Sequence, residues 1–591
     1  MPEDQSPYLP PGPPPLIFRE FQGINTQTTR PGVDDKQMSW CSGWMPLSPQ
    51  NLRTLPDIGT AIYTSAISVR WFDFGNIGLN PICIVFLADG SIWQVNTVTL
   101  VTTEIAPPGT IINPSRTDSG LTQWGDQYII IVAQQTGGYF IWDGSILYRA
   151  GSLAPLVTIT NGGSNYVSPT IGASGGSGSG ATFTATVSGG VIVAVQIANP
   201  GTGYLANDSV TLSFSDPTGT GAAGTVLLMP FGVSGTAVET YAGRVWIVNG
   251  SELIFSAPGS FQNFATSAGG GNVTSSDSFL RVAYIQPRQT NGFLYLIADS
   301  SINYISGVQT AGSPPTTTFT NQNADPEIGT PYAATVDVFS RNIVFANAFG
   351  AHISYGAAVN KISDELDGVY STVPNFGGVV PSAAKAVIFS RRVWILLLQV
   401  IDPVTQLQVG ELFMWDGKKW WSSKQSIRIL FIQHQEINSV ITAFGTDGTS
   451  IYPLFQKPSN GFTKTVQSKL WAEPGLYMTV KAENRLFGAA QYYILDGQAV
   501  NVSIDNEHGS APPVTNFVAT VVTWTTAGGL VATWTTAGGA VAIWSAAGIA
   551  ILGPTAVAQN GVLSGFTVTT ATQDVALITL MMPPEIVQYR G

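Results

Sequence analysis

The sequence predicts an all-β protein with a β-propeller core, an inserted small β-module and a separate C-terminal β-domain. Charged residues make up only 10% of the 591 positions, whereas the chain contains 64 glycines and 37 prolines. Average soluble domains carry about 25% charged residues. Because hydrophobic residues still account for 44% of the chain, this composition indicates strands and tight turns around a large core rather than helical bundles.

Turn dipeptides lie between hydrophobic runs at seven places, which is a strong local signal for β-hairpins. The seven are Asp89-Gly90, Asp143-Gly144, Asn249-Gly250, Asp299-Ser300, Phe349-Gly350, Asp416-Gly417 and Asp447-Gly448. Gly90 and Gly144 are 54 residues apart, and Gly250, Ser300 and Gly350 follow one another at intervals of 50 residues. A repeat of about 40–50 residues predicts propeller blades, because a four-stranded blade can bury both faces only against neighbouring blades. Ordinary hairpins of β-sandwiches are the alternative.

The predicted segments follow one another in this order. Residues 1–17 form a proline-rich arm, expected to be extended, and residues 18–152 contain an N-terminal segment and the first propeller blades. Residues 153–229 form the inserted module and residues 230–470 the remaining blades. Residues 471–591 form the C-terminal β-domain with its tryptophan repeat.

The inserted module is predicted from a change in composition. No charged residue occurs between Arg149 and Asp208, and two similar units, Asn161–Tyr166 and Asn199–Tyr204, are offset by 38 residues. Between these units hydrophobic residues alternate with polar ones and are punctuated by glycine. This pattern favours a two-repeat β-module in a surface loop over a flexible glycine-serine linker.

The C-terminal segment has a repeat of its own. Trp524, Trp534 and Trp544 recur every ten residues, and the 65 positions from Gly509 to Gln573 carry no charge. Each unit resembles a short strand followed by a glycine turn, so the tryptophans could form a stacked ladder within one chain or between subunits. A charge-free surface of this size predicts obligate assembly.

Several function classes are excluded or disfavoured by composition. The formal net charge is -11, and no cluster of lysines and arginines offers the basic face that a sequence-reading DNA-binding protein needs. The two cysteines, Cys41 and Cys83, cannot provide a disulfide framework. The N-terminus lacks the features of a secretory signal, and the apolar stretch from residue 540 to 558 is interrupted by glycine, serine and proline, so no stable membrane insertion is expected.

No motif predicts an active site. The histidines His352, His434 and His508 are isolated, so we predict no metal site. Residues 172–176 match a G-x-S-x-G pattern by coincidence in a glycine-serine tract, without a nearby base. An acidic group in residues 364–367 fits a solvated turn or a helix start better than a pair of glycosidase carboxylates.

A tryptophan pair and a short acidic segment also allow local predictions. Trp420 and Trp421 could stack on sugars but are more simply strand residues beside a turn. A short helix is predicted from Val33 to Cys41, because Asp34 and Asp35 would stand in its first turn. Taken together, the sequence predicts no catalytic, cofactor-binding or metal-binding residue, no cofactor and no enzymatic activity.

The stretch from Phe18 to Thr60 contains a motif made of Phe21, Gly23, Asn25, Thr26, Asp34, Asp35, Leu52, Arg53 and Pro56. With these residues the stretch resembles the N-termini of the tail nozzle proteins of short-tailed bacteriophages, which are also described as tail-tubular or packaged-DNA stabilisation proteins. Gly243–Phe264 and Pro326–Asp367 resemble two later stretches of the family, in the same order along the chain. The inserted module resembles a repeat of many phage structural proteins, whereas the tryptophan repeat departs from the family pattern.

The resemblance implies a virion protein that forms a homohexameric ring below the portal and adaptor proteins and also contacts tail fibres or spikes. The ring would retain packaged DNA and conduct it during ejection without binding it specifically. A neutral or acidic channel wall would suit this role, because it repels phosphate and lets the strand slide. The alternatives are a carbohydrate-binding or depolymerising tail spike or adhesin, a secreted bacterial propeller, and another position in the virion.

Overall fold

Antiparallel four-stranded sheets surround a central channel in the computed structural model of the protein. The structure describes residues 16–18, 20–49, 51–285, 292–355, 358–370, 379–437, 439–457 and 461–472, together with residue 571 and the later strands named below. In the described part of the chain, six such sheets and the first four strands of an 11-stranded sheet are the seven blades of a propeller, and one further four-stranded sheet belongs to the inserted module. The all-β propeller predicted from the hairpin spacing is therefore confirmed.

Blades 1 to 4 are each built from four strands in chain order. Blade 1 consists of Val69–Ile77, Asn80–Leu87, Ile92–Asn96 and Thr102–Ala106. Blade 2 consists of Ser119–Trp124, Tyr128–Ala133, Tyr139–Trp142 and Leu147–Tyr148. Blade 3 consists of Ala237–Tyr241, Arg244–Asn249, Glu252–Phe255 and Gly271–Thr274. Blade 4 consists of Phe279–Ile285, Phe293–Ala298, Ile302–Ala311 and Thr316–Asp325.

Blades 5 to 7 follow the same plan, with one strand of blade 7 taken from an earlier part of the chain. Blade 5 consists of Asp337–Phe339, Asn342–Asn347, Gly350–Tyr355 and Ala358–Lys361. Blade 6 consists of Ser382–Ile388, Arg391–Ile401, Gln408–Trp415 and Trp420–Ser423. Blade 7 consists of Phe431–Ile437, Val440–Thr446, Ser450–Pro453 and Tyr63–Thr64. The described helical segments are Arg30–Gly32, Thr266–Ala268, Ala333–Thr335, Asp364–Leu366 and Asp367–Tyr370.

The propeller ring is closed by the strand that precedes blade 1. Tyr63 pairs with Ile451 and Thr64 with Ser450, so the outer edge of blade 7 is completed from the N-terminal side. The innermost strands of blades 7 and 1 also pack against each other. Opening the ring would therefore require both a broken strand pair and the exposure of a packed interface between blades.

Large apolar side chains fill the spaces between blades. The second strand of blade 1, Asn80–Leu87, is buried at every position after its first, because both faces of the sheet are covered by neighbouring blades. On its neighbouring strand, Trp71 stacks on Phe86 with ring centroids 4.1 Å apart. This arrangement explains why the blade strands are nearly continuous hydrophobic runs rather than alternating ones.

Each of the seven predicted turn dipeptides lies between two paired strands of a different blade. Five of them connect the second and third strands of their blades. Asp143-Gly144 and Asp416-Gly417 instead connect the third and fourth strands of blades 2 and 6. This difference explains why the spacing was 50 residues in one region and 54 in another.

The inserted module lies between blades 2 and 3 and contains two structurally equivalent units. Its strands are Leu153–Ser164, Thr170–Ser174, Ser179–Ser188, Val191–Thr202, Thr211–Ser215 and Thr220–Leu228. Tyr166 and Tyr204 occupy corresponding places and are both buried. Each ring packs on a glycine, Gly219 and Gly178 respectively, where a Cβ atom would come within 2.3–2.4 Å of ring carbons. These glycines leave the space that the tyrosines fill.

Removal of the module should leave the propeller folded, because the two ends of the insertion meet. The Met229 amide donates a hydrogen bond to the Ser152 carbonyl at 3.0 Å, and Leu153 pairs with Leu228. Replacing residues 155–226 with a two-glycine turn should change the free energy of unfolding by no more than about 2 kcal/mol. Thermal unfolding followed by tryptophan fluorescence measures this effect. As a control, deletion of residues 237–274, which form blade 3, should abolish cooperative unfolding.

A second β-unit is built from both ends of the chain. Its N-terminal strands are Leu16–Phe18, Met38–Ser42, Trp44–Ser48 and Asn51–Thr54. Its longer C-terminal strands are Lys464–Ser468, Arg485–Ile494, Asn501–Asn506, Leu563–Thr570 and Ala576–Met582. Shorter strands are Trp471–Ala472, Gly509–Ser510, Val514–Thr515, Trp534–Thr535, Val541–Ala542, Gly548–Ile551 and Thr555–Ala558. The N-terminal segment therefore pairs with C-terminal strands, although the sequence grouped it with the first blades.

One sheet continues from the propeller into this second unit. Strand Met38–Ser42 pairs in parallel with the outer strand of blade 6, with Ser42 opposite Ser422. On its other side it pairs with Lys464–Ser468, which in turn pairs with Leu563–Thr570. The propeller and the second unit are thus joined by backbone hydrogen bonds as well as by side-chain packing.

The helix predicted from Val33 to Cys41 is wrong. The structure has a short 3-10 helix at Arg30–Gly32, a turn, and then strand Met38–Ser42. The Asp34 carboxylate accepts a hydrogen bond from the Lys36 amide, so it shapes a turn rather than a helix start. Met38 and Trp40 are fully buried in the strand that follows.

Several predictions fall on residues that the structure does not describe. They concern the proline-rich stretch before residue 16, His508, Trp524 and Trp544. Trp534 lies in the described pair of short strands, opposite Ala542. Among the helices that the structure describes, none has the length and hydropathy needed to cross a membrane.

Candidate functional site

The central channel contains a cavity of about 360 Å³. Residues of the innermost strands of all seven blades, or of the segments just before them, line it. They are Asp73, Phe74, Gly75, Asn76, Arg116, Leu121, Thr122, Gln123, Glu239, Arg281, Ala334, Val336, Asp337, Ala383, Phe431, Gln433, His434, Gln435 and Glu436. Polar side chains predominate, so this cavity differs from the apolar spaces between the blades.

Charged groups from different blades face one another in the channel. Arg281 of blade 4 interacts electrostatically with both Asp73 of blade 1 and Asp337 of blade 5. Lys385 of blade 6 places its Nζ 3.4 Å from Asp337 Oδ1, and His434 Nδ1 of blade 7 lies 3.8 Å from Asp337 Oδ2. The network therefore connects five blades through two acids and their partners.

Burial changes the protonation of two members of this network. It raises the pKa of Asp73 to about 6, an increase that the charge of Arg281 partly offsets. Burial also lowers the pKa of His434 to about 4, against the attraction of Asp337. His434 is therefore neutral at pH 7, whereas Asp73 is mostly ionised.

Several buried polar atoms around the cavity have no hydrogen-bond partner among the described residues. They are Arg116 Nη2, Arg281 Nε and Nη1, Asp337 Oδ2, His434 Nδ1 and Gln435 Nε2. Such atoms are costly to bury unless water or a ligand satisfies them. Donors and acceptors are both present, so hydroxyl groups or water molecules match this set better than a simple anion or cation. No metal-binding cluster of His, Cys, Asp and Glu occurs in the part of the chain that the structure describes.

The channel network should respond unequally to the removal of its members. Replacing Arg281 with Met leaves two acids without their shared cation and should cost about 3 kcal/mol of stability. Asp73→Asn should cost less, because the charge on Asp73 is already disfavoured by burial. A carboxyl group with a raised pKa makes folding less favourable as pH rises, so Asp73 should lower the stability of the parent protein between about pH 4 and pH 6. This decline should be absent from Asp73→Asn. Urea unfolding from pH 4 to 8 measures both effects, and equal losses for the two variants would contradict this account.

His352 and His434, which are isolated in the sequence, have different surroundings in the structure. His352, in blade 5, is 4% exposed and stacks on Phe345 with centroids 5.4 Å apart. Burial lowers its pKa. Of the two histidines that the structure describes, His434 lies in the channel.

The remaining sequence candidates lie outside the channel. Ser174, of the G-x-S-x-G match, ends a strand of the inserted module, and its hydroxyl lies 3.0 Å from that of Thr211. In the acidic group, Asp364 and Asp367 pair with Lys361. Glu365 pairs with Lys419 of blade 6 at 2.6 Å.

Trp420 and Trp421 are each 1% exposed, which leaves no surface for stacking on a sugar. They belong to the outer strand of blade 6, as strand residues beside a turn. The Trp420 indole donates a hydrogen bond to the Ile362 carbonyl and so connects blade 6 to the segment after blade 5. Both residues therefore have a packing role.

A second buried acid lies where blade 6 meets the second unit. Glu411 is fully buried, and its Oε1 accepts hydrogen bonds at 2.6 Å from the hydroxyls of Ser42 and Ser422. Burial raises its pKa to about 7, partly offset by Lys424. The same two serines face each other across the strand pair that joins the two units.

Sequence reasoning did not identify the channel residues, although a signal for them exists. Arg281 is the single charged residue of a hydrophobic strand, Asp337 begins the first strand of blade 5, and Asp73 lies between two phenylalanines in a strand whose other charged residue, Arg70, is exposed. Lys385 and His434 occupy similar places in blades 6 and 7. One polar position in the first strand of successive repeats marks residues that point towards the axis of a propeller.

The similarity of this chain to known proteins is weak. No family model and no curated protein matches the sequence. The solved structures with some similarity include the RRP9 WD40 repeats, at 7% identity and a TM-score of 0.35, covering 68% of this chain and 99% of that one. BBS1N in complex with ARL6DN, soaked with mercury, has 7% identity and a TM-score of 0.33, covering 67% and 97%. An exo-beta-1,3-galactanase from Phanerochaete chrysosporium has 9% identity and a TM-score of 0.17, covering 58% and 96%.

Proposed function

We propose that the protein is a structural subunit of the tail of a short-tailed bacteriophage. In this proposal, copies of the chain form a closed ring, the nozzle or tail tube, located in the virion below the portal and adaptor proteins. The ring retains packaged DNA and conducts it during ejection. Its action is mechanical and electrostatic, with no reaction catalysed and no cofactor needed.

The observation that carries the proposal is the continuous sheet from blade 6 into the second unit. A subunit of a pressurised conduit must transmit force without hinging between its parts. Backbone pairing of Ser42 with Ser422, and of Cys41 with Val466, joins the propeller to strands from both chain ends. An interface of side chains alone would allow relative motion more readily.

The stretches that resemble the tail nozzle family also correspond to distinct parts of the architecture. Phe18–Thr60 supplies the N-terminal strands of the second unit and leads into the strand that closes blade 7. Gly243–Phe264 lies in blade 3, and Pro326–Asp367 covers blade 5. The resemblance is thus spread over both parts of the molecule rather than confined to one blade.

Low charge supports an assembled rather than a solitary subunit. Only 10% of the residues are charged, and the net charge is -11. Surfaces between ring subunits lose water on assembly, so few charges have to be desolvated. Ring formation by heterologous contacts is the usual way in which identical subunits enclose a pore.

The symmetry of the purified protein tests the proposal directly. Native mass spectrometry and negative-stain imaging should find a sixfold ring with a central pore that is not lined by a continuous band of lysine and arginine. In the phage that encodes the chain, loss of the gene should give heads that lose their DNA. A monodisperse monomer at high concentration, together with absence of the chain from infectious particles, would overturn the proposal.

A depolymerising tail spike is the second candidate, because Asp73 and Asp337 both line the channel cavity and one of them has a raised pKa. A carboxylic acid with a pKa near 6 can act as a general acid. Incubation with polysaccharide of the host would reveal this activity as released oligosaccharide that Asp73→Asn abolishes. Release that persists in this variant would place the activity elsewhere.

A further inference from the structure

A groove of about 800 Å³ lies where blades 5, 6 and 7 meet. It is lined by the turn after the first strand of blade 5 and by neighbouring parts of blades 6 and 7. The lining residues that matter here are Phe339, Arg341, Lys385, Arg392, Val393, Glu436 and Ile441. Glu436 also lines the channel cavity, so the groove adjoins one mouth of the channel.

The groove combines an apolar floor with a basic rim. Phe339, Val393 and Ile441 are buried side chains from three different blades. Arg341 and Arg392 are exposed, and the Arg392 side chain retains 64% of its accessible surface. This composition suits a ligand with acidic groups next to apolar ones.

The charge balance of the rim is positive. Lys385 is engaged with Asp337, and Arg392 lies 4.0 Å from Glu436 at an exposed site where pairing is weak. Arg341 has no ion pair among the described residues. In a chain with a net charge of -11, a groove with three basic side chains and one acidic side chain is a local exception.

Tight two-residue turns connect the first and second strands of blades 5 and 6. Ser340 and Arg341 have φ angles of 48° and 67°, and Phe389 and Ser390 have φ angles of 47° and 62°. Positive φ at both central residues is the usual geometry of a two-residue hairpin turn, here between the paired residues Phe339 and Asn342 and between Ile388 and Arg391. In blade 5 this turn presents Arg341 beside the groove.

The N-terminal segment of the chain has the complementary chemistry. Residues 1–15 contain Glu3 and Asp4, no lysine or arginine, and seven prolines, with Tyr8 and Leu9 between the acids and the last prolines. A polyproline segment rises about 3.1 Å per residue, so 15 residues can reach roughly 45 Å from the strand that begins at Leu16. Proline-rich segments commonly bind grooves that combine apolar surface with charged rims.

We propose that the groove at blades 5, 6 and 7 binds residues 1–15 of a neighbouring copy of this chain. Glu3 and Asp4 pair with Arg341 and Arg392, while Tyr8 and Leu9 cover the apolar floor. This inference rests on the ring assembly of the proposed function and specifies one contact that builds it.

A labelled peptide of residues 1–15 tests the contact, with the chain beginning at Leu16 as receptor so that the groove is free. Fluorescence anisotropy should show saturable binding that weakens as salt is raised. The double variant Arg341→Glu and Arg392→Glu should weaken binding at least tenfold. The matched control Arg70→Glu, at an exposed site of blade 1, should change it less than twofold. A peptide with Glu3→Lys and Asp4→Lys should lose binding to the unaltered groove.

Absence of binding, or equal affinity for all receptor variants with unchanged thermal unfolding, would overturn the inference. Mixed isotope-labelled and unlabelled chains, cross-linked between the N-terminal amine and Lys385, should give pairs of mixed isotope composition. Cross-links within single chains only would show that the segment binds its own groove and would contradict the contact between copies. A complete ring formed by the chain beginning at Leu16 would overturn this inference while leaving the proposed tail function in place.

Discussion

Replacing Arg244 with methionine should destabilise the propeller by about 3 kcal/mol, because it leaves buried acceptors unsatisfied. The Arg244 residue is 1% exposed. Its guanidinium donates hydrogen bonds to the carbonyl oxygens of Ser256 and Gly269 and to the hydroxyls of Thr310 and Thr317. Methionine has a similar volume and offers no donor, so the loss measured is that of the hydrogen bonds rather than of packing.

The effect should be concentrated at the junction between blades 3 and 4. Arg244 belongs to blade 3, whereas Thr310 and Thr317 belong to the extended hairpin of blade 4. Urea unfolding gives the total loss, and hydrogen exchange should show faster opening of these two blades than of blade 1. Arg244→Lys should be nearly as damaging, because a single ammonium group cannot reach both carbonyls and both hydroxyls.

A matched control is Arg391→Met, which removes an arginine from a partly exposed pair 3.6 Å from Asp416. Surface pairs of this kind contribute less than about 1 kcal/mol. A comparable loss in both variants would mean that the Arg244 contacts carry no special weight. Thr317→Val offers a second check, because it removes one of the four acceptors and the hydrogen bond that the Thr317 hydroxyl donates to the Gly269 carbonyl, and it should cost less than the loss of Arg244.

Local sequence signals were sufficient to predict the blades but not their closure. The turn dipeptides mark chain reversals by short-range chemistry, so each was found in a separate blade. The closing strand, Tyr63–Thr64, has only two residues and no turn signal, and it is defined by partners almost 390 residues later. Pairing at such a distance depends on the assembled ring and leaves little trace in the local sequence.

The same reasoning applies to the second unit and to the buried polar residues. A helix was expected from Val33 to Cys41, but Met38–Ser42 is a strand whose conformation is determined by neighbours at Ser422 and Val466. Arg244 follows a glycine at the start of a hydrophobic strand, and no local pattern marks it as a buried residue. Only the position of the long blade 4 hairpin explains why an arginine is buried there.

Glu411, which is buried where blade 6 meets the second unit, should make the free energy of unfolding fall as pH rises. The pKa of Glu411 is about 7 in the folded protein, compared with its ordinary value of 4.5. A carboxyl group with a raised pKa binds its proton more tightly when folded, so its unfavourable effect grows from pH 4.5 and is complete above pH 7. At about 1.4 kcal/mol per pKa unit, the decline amounts to about 3 kcal/mol.

Glu411→Gln should remove most of this decline, because the amide keeps the shape and the hydrogen bonds with Ser42 and Ser422 without acquiring a charge. The variant should therefore be more stable than the parent at pH 8 and similar to it at pH 4.5, as measured by urea unfolding across this range. A smaller dependence should remain from Asp73, whose pKa is also raised. Glu436→Gln, at a side chain that is 50% exposed, is the control and should leave the pH profile unchanged. Destabilisation by Glu411→Gln at both pH values would contradict this account. It would mean that the ionised form of Glu411 stabilises the pairing of blade 6 with Met38–Ser42, with Lys424 compensating the burial of its charge.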